Sequence, residues 1–207
     1  MILAIDPGNE YSAYVALNGE RVVARAKVSN ETMLAAVQRA NEHGGQLGVL
    51  GIEMLVIEMI ASYGMPVGRE VFETCVWIGR FIEAWGGDHA LIYRRDIKLH
   101  LCGSARAKDG NIRQALIDRW GGKEKAIGKK ASPGPLYGVS ADVWAALAVA
   151  VTYADQNAHA RTRGGLDGAV SDSATSSEPL TERSHFVRES DAPSLRTGLN
   201  PGVGGGR

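Results

Sequence analysis

The sequence predicts a mixed α/β domain: a five-stranded sheet with helices on both faces. Three observations lead there. Three apolar runs separated by short turn signals fill the first thirty residues. Strand-like and helix-like patterns then alternate. From about residue 157 the chain becomes rich in Gly, Ser and Pro, with no apolar period. A hairpin-linked antiparallel trio followed by alternating elements implies a mixed sheet. Right-handed crossovers would set the fourth strand beside the first.

The elements follow in order. "MILAID" reads as a short, fully buried strand and "YSAYVAL" as the second, with the turn signal "NGE" leading into a third, "RVVARAKV". Asn30 is expected to cap the amphipathic helix "ETMLAAVQRANEH", which Gly44 and Gly45 would stop. "EMLVIE" is the fourth strand, from Glu53 to Glu58. The loop "MIASYGMPVG" leads to the helix "REVFETCVWIGRFIEAW", stopped by Gly86 and Gly87, and "HALIYR" is the fifth strand. "RRDIKLHLC" and "DGNIRQALIDRW" read as helices, 121–138 as a Lys/Gly/Pro loop, and "ADVWAALAVAVTYAD" as a last helix capped by Ser140. The folded domain thus spans 1–156. Residues 157–207 cannot bury enough apolar surface to offset their ordering entropy and are expected to be a disordered tail.

Composition narrows the class. No apolar run reaches the ~20 residues of a membrane span, and "MILAID" lacks the basic lead of a signal peptide. Cys75 and Cys102 are too few for a disulfide framework or a zinc cage. A cytoplasmic protein with reduced thiols is expected. The formal net charge of +0 hides a split: residues 1–93 carry −5 and residues 94–130 carry +7. An acidic block suits metal, a basic block phosphate.

Three carboxylates fall at element ends: Asp6 after strand one, Glu58 at the end of strand four, and Asp142 in the first turn of the last helix. Each has an ordinary explanation as turn former, solvated strand end or helix-dipole partner. Together, in this topology, they would share one cleft. Clustered carboxylates suit Mg²⁺ or Mn²⁺. Two such ions about 4 Å apart can activate water and stabilise the leaving oxygen of a phosphodiester.

These segments resemble a family. "LAIDPGNEYSAYV", "LVIEM" and "SADVWAALAVA" are similar to the three acidic motifs of RuvC-type Holliday-junction resolvases, which have a ribonuclease-H-like fold. "SYGMPVGREVFETCVWIGRF" and "GPLYGVSADVWAALA" look most like the phage-encoded branch. The resemblance covers about residues 1–155. It implies a metal-dependent endodeoxyribonuclease acting on four-way and other branched DNA, leaving a 5′-phosphate and a 3′-hydroxyl. It further implies a homodimer, with two ions per site on Asp6, Glu58 and Asp142. Lys98 and Lys108 match the family's DNA-contacting lysines, and Lys108 would also stabilise charge on the transferring phosphoryl group. One departure stands out. The family's last helix carries acids at i and i+3, whereas here Asp142 is at i and Ala145 at i+3. Asp109 is either a substitute ligand or the N-cap of its helix.

Lys98, Arg106, Lys108, Arg113, Lys123, Lys125, Lys129 and Lys130 are candidate phosphate contacts, which position DNA without reading its sequence. Tyr63 and Met65 either insert at a branch point or anchor their loop in the core. Trp77, Phe81 and Trp85 recur at helical spacing and read as core or dimer interface. His43, His89 and His100 read as structural. Three rivals stay open: a junction-binding protein with an impaired nuclease site, an RNA/DNA-hybrid nuclease, and a sugar-kinase or actin-like ATPase. The last needs two such domains, and about 155 residues supply one.

Overall fold

The computed structural model describes residues 1–42 and 51–167, with the side chains of 42 and 159–167 left aside. Five strands form one sheet in the order β3-β2-β1-β4-β5: β1 is Ile2–Asp6, β2 Tyr11–Asn18, β3 Arg21–Ser29, β4 Met54–Met59 and β5 His89–Tyr93. β1 pairs antiparallel with β2 and parallel with β4, as the crossover rule requires.

Strand parity divides the core. Alternate side chains of a strand point to opposite faces. Leu3, Ile5, Leu55 and Ile57 pack on one face against Met33 and Val37 of α1 (Asn30–Glu42) and Ile78, Phe81 and Trp85 of α2 (Arg69–Trp85). Ala4, Val15 and Val56 pack on the other, under α6 (Ala141–Asp167), whose Leu147 and Val151 are buried. Asp6 and Glu58 share the parity of Ala4 and Val56. Both acids therefore fall on the α6 face, at the ends of their strands. Glu53 has the opposite parity, as the five-residue spacing predicts, and pairs with the N-terminal amine at 3.1 Å.

α3 (Arg94–Cys102) and α4 (Asp109–Arg119) lie beside α6. The Arg119 guanidinium donates to both Asp155 oxygens, at 2.8 and 2.9 Å, and His100 Nε2 stands 2.9 Å from the same carboxylate. Burial alone would raise the Asp155 pKa, but these partners lower it. Among the described residues no helix is long and apolar enough to cross a membrane.

Three expectations are corrected. The segment 121–138 is not a bare loop. It holds a helical turn, α5 (Lys123–Ala126), and a two-stranded ribbon, β6 (Gly128–Lys129) with β7 (Ser132–Pro133). Buried Ala126 and Leu136 hold it, and a Cβ on Gly134 would sit 2.3 Å from the Lys125 carbonyl oxygen. Two-residue strands carry no readable period. The last helix runs on to Asp167, past its expected end at Asp155; the rest of the expected tail, and Gly44 and Gly45, lie outside the described residues. Asn30 does not cap α1. The Ser29 hydroxyl accepts from Thr32 N–H at 3.3 Å and does that work.

Asn30 is instead a buried tie. Its Oδ1 accepts from Ser12 at 2.6 Å, its Nδ2 donates to the Gly8 carbonyl at 2.9 Å, and its backbone N–H donates to Glu10 O at 2.9 Å. The turn after Asp6 is thereby pinned to α1. Only glycine fits at position 8, because a Cβ there would lie 2.5 Å from Tyr11 O. Asn30→Ala strands the Ser12 hydroxyl and the Gly8 carbonyl; denaturant unfolding should show a loss of about 2 kcal/mol. A loss below about 0.5 kcal/mol would mean that the tie is not structural.

Candidate functional site

A row of residues crosses the sheet at the C-terminal end of β1. Ala13 of β2 registers with Asp6 on one side and with Lys27 of β3 on the other. β1 and β4 register through Ile5 and Ile57, so the next step sets Asp6 beside Glu58. Glu58 in turn registers with Ile92 of β5, and Arg94 follows two residues later with the same parity. Asp142, in the first turn of α6, comes down on this row.

The result is a cleft of about 570 Å³. Asp6, Glu58, Asp109, Asp142, Arg94 and Arg113 all contribute to its lining, together with Ala145. A second hollow, about 300 Å³, continues past Asp6 and Asp142 between the Asp6–Tyr11 turn and Lys27. The three carboxylates singled out from the sequence thus reach one cleft.

Electrostatics there are strained. The Asp6 carboxyl is pushed up to about 7, first by burial, then by the Glu58 charge, with a smaller push from Asp142. Burial also raises Glu58, against the lowering effect of Arg94. Arg94 Nη1 donates to Glu58 Oε2 at 3.1 Å, and Nη2 donates to Asp109 Oδ1 at 2.6 Å. Lys27 Nζ donates to Asp142 Oδ2 at 2.5 Å. Among the described residues no group of three or more His, Cys, Asp and Glu stands in metal-holding geometry. The donor chemistry is that of a hard cation site, and Arg94 and Lys27 are paired with three of its carboxylates, Glu58, Asp109 and Asp142.

The other expected residues are distributed around this cleft. Arg113 lines it, with its guanidinium 5.2 Å from the Trp144 ring centroid. Lys98 is half-buried on α3, near enough to Glu58 to lower its pKa. Arg106 is exposed between α3 and α4. Lys108 is exposed just before α4 and does not line the cleft; its backbone N–H donates to Asn111 Oδ1 at 2.9 Å. Asp109 is the first residue of α4 rather than its N-cap, and its carboxylate turns to Arg94. Lys129 and Lys130 are exposed at the tip of the β6–β7 ribbon. Tyr63 and Met65 are 57% and 68% exposed, so neither anchors its loop in the core. Tyr63 adopts the left-handed conformation at φ 49°, unusual for a non-glycine residue. Phe81 and Trp85 are core, and Trp77 stacks on Phe81. Sequence reasoning missed Arg94 and Lys27. Strand parity puts both on the face of the acids, but which acids they meet is set only by the folded sheet.

Comparison with solved structures gives a RuvC structure from Thermus thermophilus, 17% identical, with a TM-score of 0.50, covering 74% of this chain and 92% of that one. T. thermophilus RuvC in complex with a Holliday junction substrate is 16% identical, with a TM-score of 0.46 and the same coverage. A ROK hexokinase from T. thermophilus is 17% identical, with a TM-score of 0.32, covering 48% of this chain and 38% of that one. The first likeness is one of fold: the chain has a RuvC-like, ribonuclease-H-like architecture. The other two carry no weight at those scores. No family model matches, and no curated protein matches.

The raised Asp6 pKa has a consequence for stability. A carboxyl whose folded pKa exceeds its unfolded value loses stability as pH rises from about 4 toward 7, and the loss is complete above that. In EDTA at pH 8, Asp6→Asn should therefore be more stable than the wild type. The gain is about 2 kcal/mol after allowing for screening at the open cleft. It should vanish below about pH 4, where Asp6 is protonated in both states. Thermal unfolding across this range checks it; equal melting at pH 8 would contradict the burial account.

Proposed function

We propose that this protein is a divalent-metal-dependent endodeoxyribonuclease that nicks branched DNA, four-way junctions above all. The observation that carries the reading is the convergence of Asp6, Glu58 and Asp142 in one cleft at the strand ends of a RuvC-like fold. Asp6, Glu58 and Asp142 would hold Mg²⁺ or Mn²⁺, which when bound supplies an activated water and a counter-charge for the leaving oxygen. Asp6 is the residue whose charge most needs a cation. Cation uptake requires the exposed Lys27–Asp142 pair to open, which surface screening makes inexpensive.

The basic groups around the cleft fit phosphate positioning. Arg113 and Lys98 would grip the strand being cut, and Arg106, Lys108, Lys129 and Lys130 more distant backbone. Lys108 also serves the charge building on the transferring phosphoryl group if its side chain swings past Asp109. Tyr63 would stack on bases already unstacked at the branch. Two symmetric cuts need two sites, and the homodimer would pack through α2, where Phe72 and Val76 are 61% and 62% exposed.

A second reading has its own support. Ala145 and the internal pairing of Arg94 and Lys27 favour a protein that binds junctions without cutting them. A synthetic four-way junction with Mg²⁺ separates the two. The wild type should nick it, while Asp6→Asn should bind within about twofold of wild-type affinity and cut on the order of 10²-fold more slowly or less. Wild-type binding without nicking would leave only the second reading.

A further inference from the structure

We propose that the Arg94 guanidinium takes the place of a second divalent ion, so that each chain takes up one ion instead of two. The inference rests on the nuclease reading and refines it.

Charge and geometry argue for it together. Four carboxylates border the cleft: Asp6, Glu58, Asp109 and Asp142. Two cations of the chain are ion-paired to them, Arg94 to Glu58 and Asp109, and Lys27 to Asp142. Formal charge −4 against +2 leaves −2, which one divalent ion would neutralise. Arg113 stands over the Trp144 ring and forms no ion pair with these acids among the described residues. The position that would supply another carboxylate on α6, one turn below Asp142, is Ala145, which lines the cleft without a ligating atom.

Arg94 is also built in, not draped across. It is the residue after β5, whose parallel pairing with β4 runs through Glu58 and Ile92, and it is one-quarter exposed. Its fork spans two acids from different elements, at 3.1 and 2.6 Å. A guanidinium offers five donors in one plane and stays charged at any working pH. It can therefore bridge two carboxylates as a metal ion would, and later turn a free edge to a phosphate. By contrast, Lys27 is about half exposed and on a flexible stem, so it can release Asp142 to the one ion while its charge stays at the cleft edge.

The test is a count of bound ions on the full chain with Mn²⁺ alone, read from the paramagnetic signal of free Mn²⁺. One ion per chain is expected for the wild type, one for Arg94→Lys, which keeps the charge, and two for Arg94→Gln. Two ions on the wild type would overturn the inference and leave the nuclease reading standing. One ion on a folded Arg94→Gln would remove Arg94 from the role. No ion on the wild type would also overturn it, and if junction nicking is absent as well, the nuclease reading falls with it. The wild-type count does not depend on how the variants fold.

Discussion

Carboxylates crowded at the ends of neighbouring parallel strands repel one another, and the fold has to supply positive charge where they meet. Asp6 and Glu58 are brought together by strand pairing and by parity, with no freedom to separate. Burial then raises the pKa of both. Arg94 and Lys27 supply the answering charge, the first from just past the edge strand β5 and the second from the opposite edge strand β3. Much of the surrounding architecture follows from that need. α3 starts at Arg94, α4 starts at its second partner, Asp109, and α6 starts one residue before Asp142.

The scaffold keeps this arrangement by apolar packing that the acids do not share. Leu3, Ile5, Leu55 and Ile57 seal one face of the central strands under α1 and α2, and Ala4 and Val56 the other under α6. The small Ala4 and Ala13 let α6 approach, so that Asp142 reaches the row of Asp6. The Arg119–Asp155–His100 cluster holds α3 and α4 to the middle of α6. Asn30 ties down the turn that carries Asp6 out of β1. The charged groups thus meet in one open cleft, beside a core of buried apolar side chains.

Most of the groups proposed to meet DNA are exposed by comparison. Tyr63, Met65, Arg106, Lys129 and Lys130 stand on loops or on a two-residue ribbon, exposed and with few partners, as binding groups on a rigid frame commonly are. Catalytic candidates sit on strand and helix ends instead. That division fits a protein whose chemistry needs fixed oxygens and whose substrate is large and deformable.

Local pattern alone determined the five strands, the long helices and the three acids. The short apolar runs in "MILAID" and "EMLVIE" and the apolar face of "REVFETCVWIGRFIEAW" are set by burial within a few residues. Asn30, read as a cap, is a buried tie because Ser12 and Gly8 come to it from another strand. The ribbon at 128–133 was invisible because two-residue strands have no period. Arg94 and Lys27 lay inside segments read only as strand and helix. Their meaning is set by which acids stand across from them, and pairing over 36 and 115 positions of chain is a property of the folded sheet alone.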